Sequence, residues 1–193
     1  MNSFGLTGGI ACGKTTLGEL MQLTGWKLVD ADAIAHRLLQ PEQINWKKVI
    51  DAFGRSILNE DRTINRRALG ELVFSDPALR KKLEQLTHPA IRETWQAERA
   101  RLREHFPEAK IVVVIPLLFE GELEREFTAT LCVGCSPATQ WHRLKWRGWS
   151  DAHIQARLTS QWPIEKKMQK SDFVFWNEGT RHSLEEQLKL LSV

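Results

Sequence analysis

Eight residues, GGIACGKT at positions 8–15, restrict this chain more than any other stretch. They fit the pattern G-x-x-x-x-G-K-[ST]. Glycines at Gly8, Gly9 and Gly13 let a backbone curl until successive N–H groups point inward at phosphate oxygens. The helix that must follow adds the positive end of its dipole. Before the loop, SFGLT reads as a strand; after it, TTLGELMQL carries apolar residues at helical spacing. That context turns a short pattern into a phosphate-binding loop. Its candidate nucleotide ligands are Gly8, Gly9, Ile10, Ala11, Cys12, Gly13, Lys14, Thr15 and Thr16. Lys14 reaches the β and γ phosphates, the Thr15 hydroxyl ligates Mg²⁺, and Cys12 contributes its backbone, its thiol leaving the loop open to thiol reagents.

Strand and helix signals alternate along the rest of the chain. WKLVD, KIVVVIPLLF, ATLCVG and DFVFWN read as strands, and the second strand is expected beside the first. Pro77 opens a helix behind Ser75 or Asp76 as its cap, and Pro137 opens another behind Ser136. His88 before Pro89 reads as a further helix start. Such alternation predicts an α/β fold, a parallel sheet with helices on both faces. The helical stretch from about Asp32 to Arg103 is too long for a simple crossover and reads as an inserted subdomain.

A bound nucleotide admits several chemistries. The chain has no N-K-x-D for guanine, and its long apolar strand runs into IPLLFEGE rather than ending in the acid expected of a motor or transporter ATPase. A kinase needs a group to deprotonate or orient an acceptor hydroxyl. LVDADAIAH supplies two carboxylates after the second strand. Asp32 is the candidate base; Asp30 is a metal or structural partner, and either also fits a helix cap. The segment from Trp141 to Lys170 has seven basic and two acidic residues, a net +5 in a chain of net +3. Arg143, Arg147 and Arg157 there are candidates to neutralise the transferring phosphoryl, with Gly148 as a hinge.

Bulk properties bound the reading. At 193 residues with 42% hydrophobic and 26% charged residues, the chain suits one globular domain. No apolar run suggests a membrane span and the N-terminus lacks a signal-peptide pattern, so a cytoplasmic location is expected. Cys12, Cys132 and Cys135 form no disulfide framework. Cys132 and Cys135 make a C-x-x-C, but on a strand they would face opposite ways, so they read as small apolar residues. Five of eight tryptophans lie in or near the basic segment and are expected to pack it; stacking on single-stranded nucleic acid is the competing reading.

With LTGGIACGKTT, VDADAIAH, INRRALGELVFSDP, LEQLTHPAIR, IPLLFEGE, SPATQWHRLKWRGWS, ARLTSQWPIEKK and DFVFWNEGT in order, the chain resembles the dephospho-CoA kinase family essentially end to end. The resemblance implies a fold like the nucleoside monophosphate kinases: a P-loop three-layer α/β/α domain over 1–193 with a five-stranded parallel core (1–32, 108–140, 171–193). It implies a helical CoA-binding part at about 33–107 and a lid at about 141–170. It implies ATP-dependent phosphorylation of the ribose 3′-hydroxyl of dephospho-CoA, with Mg²⁺, as the last step of CoA synthesis. Asp32 matches the family's base, Lys14 and Thr15 its phosphate grip, and Arg143 and Arg147 its lid positions. Arg66, His88 and Arg92 match positions near the acceptor, and Asn177 and Gly179 the turn bordering adenine. Its partners would be ATP and dephospho-CoA, with no nucleic acid or membrane, in a monomer or weak homo-oligomer. Another small-molecule or nucleotide kinase of the same fold, or a non-catalytic nucleic-acid-binding P-loop protein, is the alternative.

Overall fold

The structure, a computed structural model, describes residues 2–191. Its strands are β1 (Ser3–Gly8), β2 (Lys27–Asp30), β3 (Ile111–Val114), β4 (Ala129–Gly134) and β5 (Phe173–Trp176). All pair in parallel, in the order β2-β3-β1-β4-β5. The helices are α1 (Lys14–Leu23), α2 (Ala31–Leu38), α3 (Ile44–Phe53), α4 (Arg66–Ser75), α5 (Pro77–His105), α6 (Pro137–Trp146), α7 (Asp151–Thr159), α8 (Ile164–Lys170) and α9 (Arg181–Lys189). This is the three-layer α/β architecture expected, with five parallel strands.

The neighbour expected for β2 is corrected. β2 pairs with β3, and β3 lies between it and β1. Side-chain chemistry explains the order. IVVV of β3 is buried at every position, which an inner strand requires, whereas KLVD of β2 is mostly half-buried and suits an edge. β3 also ends earlier than its apolar run. Ile115 still donates to Leu6 O at 2.8 Å, but Pro116 has no N–H to continue the ladder. The freed Pro116 carbonyl accepts from Thr7 Oγ1 at 3.0 Å and from Lys167 Nζ at 2.7 Å.

Local signals hold at two helix starts. Asp76 Oδ1 accepts from Ala78 N at 2.7 Å at the start of α5; the Ser75 side chain lies outside the described ones. Ser136 Oγ accepts from Thr139 N at 3.2 Å, with Pro137 in the first turn of α6. The helix start read at His88–Pro89 is corrected, since α5 runs unbroken through both. An interior proline removes one helix hydrogen bond. Burial of Thr87 and Trp95 on the same helix, and the Thr87 hydroxyl bonded to Leu83 O at 2.8 Å, offset that loss.

The chain divides into two compact units: residues up to Asp30 together with those from Arg99 onward, and Ala31–Glu98. The first holds the sheet. Its core joins Phe4 and Leu6 of β1 to Leu17 and Met21 of α1, Leu131 and Val133 of β4, and Leu184 and Leu188 of α9. The second, all helical apart from a Leu58–Ile64 bridge, packs Trp46, Val49, Ile57, Ile64, Leu69 and Val73 together. Among the described residues, no helix is long and apolar enough to cross a membrane.

Candidate active site

In the sheet-bearing unit, β1 delivers the chain into the glycine-rich loop and α1 begins at Lys14. Two glycines are sterically required. Gly8 has φ +148° and a Cβ there would lie 2.2 Å from Val133 O; Gly13 has φ +106° and a Cβ there would lie 2.1 Å from Asn177 Nδ2. Neither position admits a side chain without moving β4 or Asn177.

Side chains hold five successive loop carbonyls. Lys14 Nζ donates to Gly8 O at 3.0 Å and to Gly9 O at 2.9 Å. Gln140 Nε2 donates to Ile10 O at 2.6 Å, Arg143 Nη1 to Ala11 O at 3.2 Å, and Asn177 Nδ2 to Cys12 O at 2.8 Å. A planar trans peptide sets each C=O opposite the next N–H. Carbonyls drawn to these donors therefore turn the amides of Gly9, Ile10, Ala11 and Gly13 the other way. The Cys12 amide bonds within the loop, to Gly9 O at 3.3 Å. The result is a concave run of N–H dipoles leading into the start of α1, an arrangement suited to a polyphosphate. Thr15, in the first turn of α1, is exposed, and Thr16 half-buried.

Two further contacts brace the loop's supports. Arg143 Nη2 donates to Asn177 O at 2.9 Å, so one guanidinium joins the loop to the turn after β5. Glu178 accepts from the backbone of Ser136 and from Thr139 Oγ1, tying that turn to the start of α6. Those hydrogen bonds, first among them the one from Thr139, hold the Glu178 carboxyl below its ordinary range. Gly179 follows, where a Cβ would meet Ser183 Oγ at 2.8 Å. Arg147 caps the far end of α6 and is exposed.

The basic segment is less positive than its sequence suggests. Lys145 pairs with Asp151 at 2.9 Å, Lys170 pairs with Glu124, and Lys167, fully buried, pairs with Glu120 at 2.9 Å. Burial lowers the Arg157 guanidinium from its ordinary value, but an arginine keeps its charge. The tryptophans divide between packing and exposure. Trp162 stacks on Phe119 with ring centroids 6.4 Å apart, and Trp149 meets His153 edge-on, but Trp146 is 86% exposed.

The remaining predicted residues belong to the helical unit. Asp32 stands exposed in the first turn of α2, two residues past Asp30, which ends β2 opposite Val114. Arg66 opens α4 behind the Asn65 cap, whose side chain accepts from Ala68 N at 3.0 Å. His88 and Arg92 are four apart on α5 and both exposed, so helical spacing places them on one face. Among the described residues, no group of three or more His, Cys, Asp or Glu side chains is arranged to hold a metal ion.

Sequence reading missed Gln140, Glu178 and Cys135. Gln140 carried one usable signal: it lies three residues before Arg143, on the same face of one helix. Cys135 carried none, because its contact is to Cys12, 123 residues away.

Comparison with known proteins points to one family. A family model described as dephospho-CoA kinase matches residues 3–183. The chain is 40% identical to the dephospho-CoA kinase of Bdellovibrio bacteriovorus over 192 residues, 99% of this chain and 95% of that one. It is similar to the crystal structure of TT1252 from Thermus thermophilus, with TM-score 0.78, 34% identity, and 97% and 94% of the two chains covered. It is similar also to the dephospho-CoA kinase structure from Campylobacter jejuni, with TM-score 0.63, 29% identity, and coverage of 98% and 95%.

Proposed function

The chain belongs to the dephospho-CoA kinase family, and from that premise we propose which residues carry phosphate from ATP to dephospho-CoA in CoA biosynthesis. The observation that supports this most is the loop itself, whose carbonyls from Gly8 to Cys12 are each held by a side-chain donor. A loop fixed in this way receives the triphosphate with little rearrangement, and positioning is most of what phosphoryl transfer asks of a protein.

In this reading the loop amides and Lys14 hold the β and γ phosphates of ATP. The Thr15 hydroxyl suits Mg²⁺, which keeps several waters and takes one or two protein oxygens beside the phosphates. The ion would arrive with the nucleotide, whose phosphates would supply part of its ligand shell. Bound there, Mg²⁺ would supply positive charge to offset that of the phosphates. Asp32 accepts or orients the proton of the ribose 3′-hydroxyl as that oxygen approaches the γ phosphorus. Arg143 and Arg147 balance charge on the transferring group. Arg66, His88 and Arg92 hold the acceptor's anionic parts, and Asn177 and Gly179 border adenine. ATP and dephospho-CoA are the only partners this reading needs, and we place the reaction in the cytoplasm, with the protein a monomer or weak homo-oligomer.

A coupled assay with ATP and dephospho-CoA, set against adenosine, AMP and shikimate as acceptors, tests the assignment. Dephospho-CoA should be the best acceptor, and the product should carry its new phosphate on the ribose 3′ oxygen by ³¹P NMR. A higher rate with any other acceptor overturns it.

A further inference from the structure

The C-x-x-C motif has a partner elsewhere in the fold. Cys135 lies just past the end of β4, so the alternation that would set it against Cys132 no longer applies. Its thiol turns toward the phosphate loop and donates to Cys12 Sγ, with the two sulfurs 3.4 Å apart. Cys132, Ile164 and Met168 enclose the pair, and all three cysteines are fully buried.

The three thiols are chemically distinct. The hydrogen bond from Cys135, helped by the charge of Lys14, holds the Cys12 thiol below its ordinary value despite burial. Cys135, the donor in that bond, is correspondingly raised. Burial pushes Cys132 up to about 12. A thiolate-prone sulfur beside a protonated thiol is the arrangement of a nucleophilic cysteine with its resolving partner.

We propose that Cys12 and Cys135 are an oxidisable dithiol pair, and that their disulfide disables the phosphate loop. The oxidant is hydrogen peroxide. The Cys12 sulfur attacks one peroxide oxygen, the O–O bond breaks, and the departing oxygen leaves as water, giving a sulfenic acid. The Cys135 sulfur then attacks the Cys12 sulfur; the S–O bond breaks, the S–S bond forms, and a second water leaves with the Cys135 proton. Two thiols lose two electrons and two protons, and one peroxide becomes two waters.

Closing the bond moves the loop rather than the strand. The sulfurs must approach from 3.4 Å to roughly 2.05 Å. Cys135 is flanked by Gly134, whose carbonyl accepts from Asn177 N at 2.8 Å, and by Ser136, whose amide is bound by Glu178. Cys12 sits between Ala11 at φ +60° and Gly13 at φ +106°, in an irregular loop. A shift of about an ångström there strains the bond from Asn177 to Cys12 O and turns the amides of Cys12 and Gly13. The inference rests on the loop alone and holds for any acceptor.

The test uses the full chain, reduced and then treated with hydrogen peroxide. Remaining thiols are blocked, the protein is mapped by mass spectrometry, and ATP affinity is measured by calorimetry. We expect a peptide linking Cys12 to Cys135, a loss of ATP affinity of ~10-fold or more, and recovery with dithiothreitol. Cys135→Ala should form no disulfide at Cys12, and peroxide should leave its Cys12 as sulfinic or sulfonic acid. Reduced thiols in treated parent protein, a Cys132–Cys135 link, or a Cys12–Cys135 link with unchanged ATP affinity would each overturn the proposal.

Discussion

Gln140 Nε2 donates to the carbonyl oxygen of Ile10 at 2.6 Å, across 130 residues of sequence. Gln140 itself is 6% exposed, so this hydrogen bond is largely shielded from water. The same amide would stand 2.7 Å from a Cβ placed on Gly9. The shape of the nucleotide loop is therefore set in part by a side chain of α6.

Gln140→Ala should weaken ATP binding more than it slows chemistry. The lost hydrogen bond is worth about 1 kcal/mol, close to fivefold in affinity. We expect the KM for ATP to rise by about that factor, with kcat changed less than about twofold. Gln140→Glu, which sets an acceptor against the Ile10 carbonyl, should be worse than alanine. Initial-rate kinetics over an ATP series measure both; an unchanged KM in both variants would remove the positioning role.

Asp32→Asn should act in the opposite way. Loss of a general base costs about 10²- to 10⁴-fold in turnover, whereas ATP affinity should stay within about twofold of the parent. Single-turnover rates and ATP titrations separate the two effects. Turnover equal to the parent would take Asp32 out of the base role and leave the family assignment intact.

Lys167 is fully buried against Glu120 at 2.9 Å, and Glu120 also accepts from the Trp162 amide at 2.8 Å. Lys167→Met strands a largely buried carboxylate, and breaking such a pair costs about 3–5 kcal/mol. The lower end is expected because Glu120 keeps 17% exposure. Lys167→Met combined with Glu120→Gln should regain most of the loss, since the glutamine still accepts from Trp162. Urea unfolding of both variants measures this, and equal destabilisation would argue against a charge effect.

The Cys132 thiol predicts an alkaline instability with a definite sign. Burial raises it from an ordinary 9.0 to about 12, so the folded protein holds this proton after the unfolded chain has lost its own. Its contribution is complete below pH 9.0 and is lost as pH rises toward about 12, at up to about 1.4 kcal/mol per pH unit. The stability of the parent should fall relative to Cys132→Ala across that window. Thermal melts at matched pH test the difference, and parallel curves for the two proteins would contradict it.

Some of the site was legible because its physics is local. The glycine-rich loop, the strand before it, the caps at Asp76 and Ser136 and the break at Gly148, with φ +78°, depend on residues within a few positions of each other. Strand order did not. Which strand lies beside β1 depends on pairing across some hundred residues, and the full burial of β3 against the half-burial of β2 decided it. Lys167 counts toward the charge of the basic segment, yet it lies in the core, because its partner Glu120 lies 47 positions away. His88–Pro89 misled for a related reason: a proline usually marks a boundary, and burial of Thr87 and Trp95 carried α5 through it.

By itself the sequence determined that this chain grips phosphate with a curled backbone between a strand and a helix, within an alternating α/β fold. Those properties follow from glycine sterics, apolar spacing and capping, which act over a few residues. The tertiary structure alone decided what holds that loop in shape: Gln140, Arg143 and Asn177 on its carbonyls, and Cys135 against its one sulfur. Hydrogen bonds and thiol contacts require atoms within a few ångströms, and only the packed sheet brings residues more than a hundred positions apart to that distance.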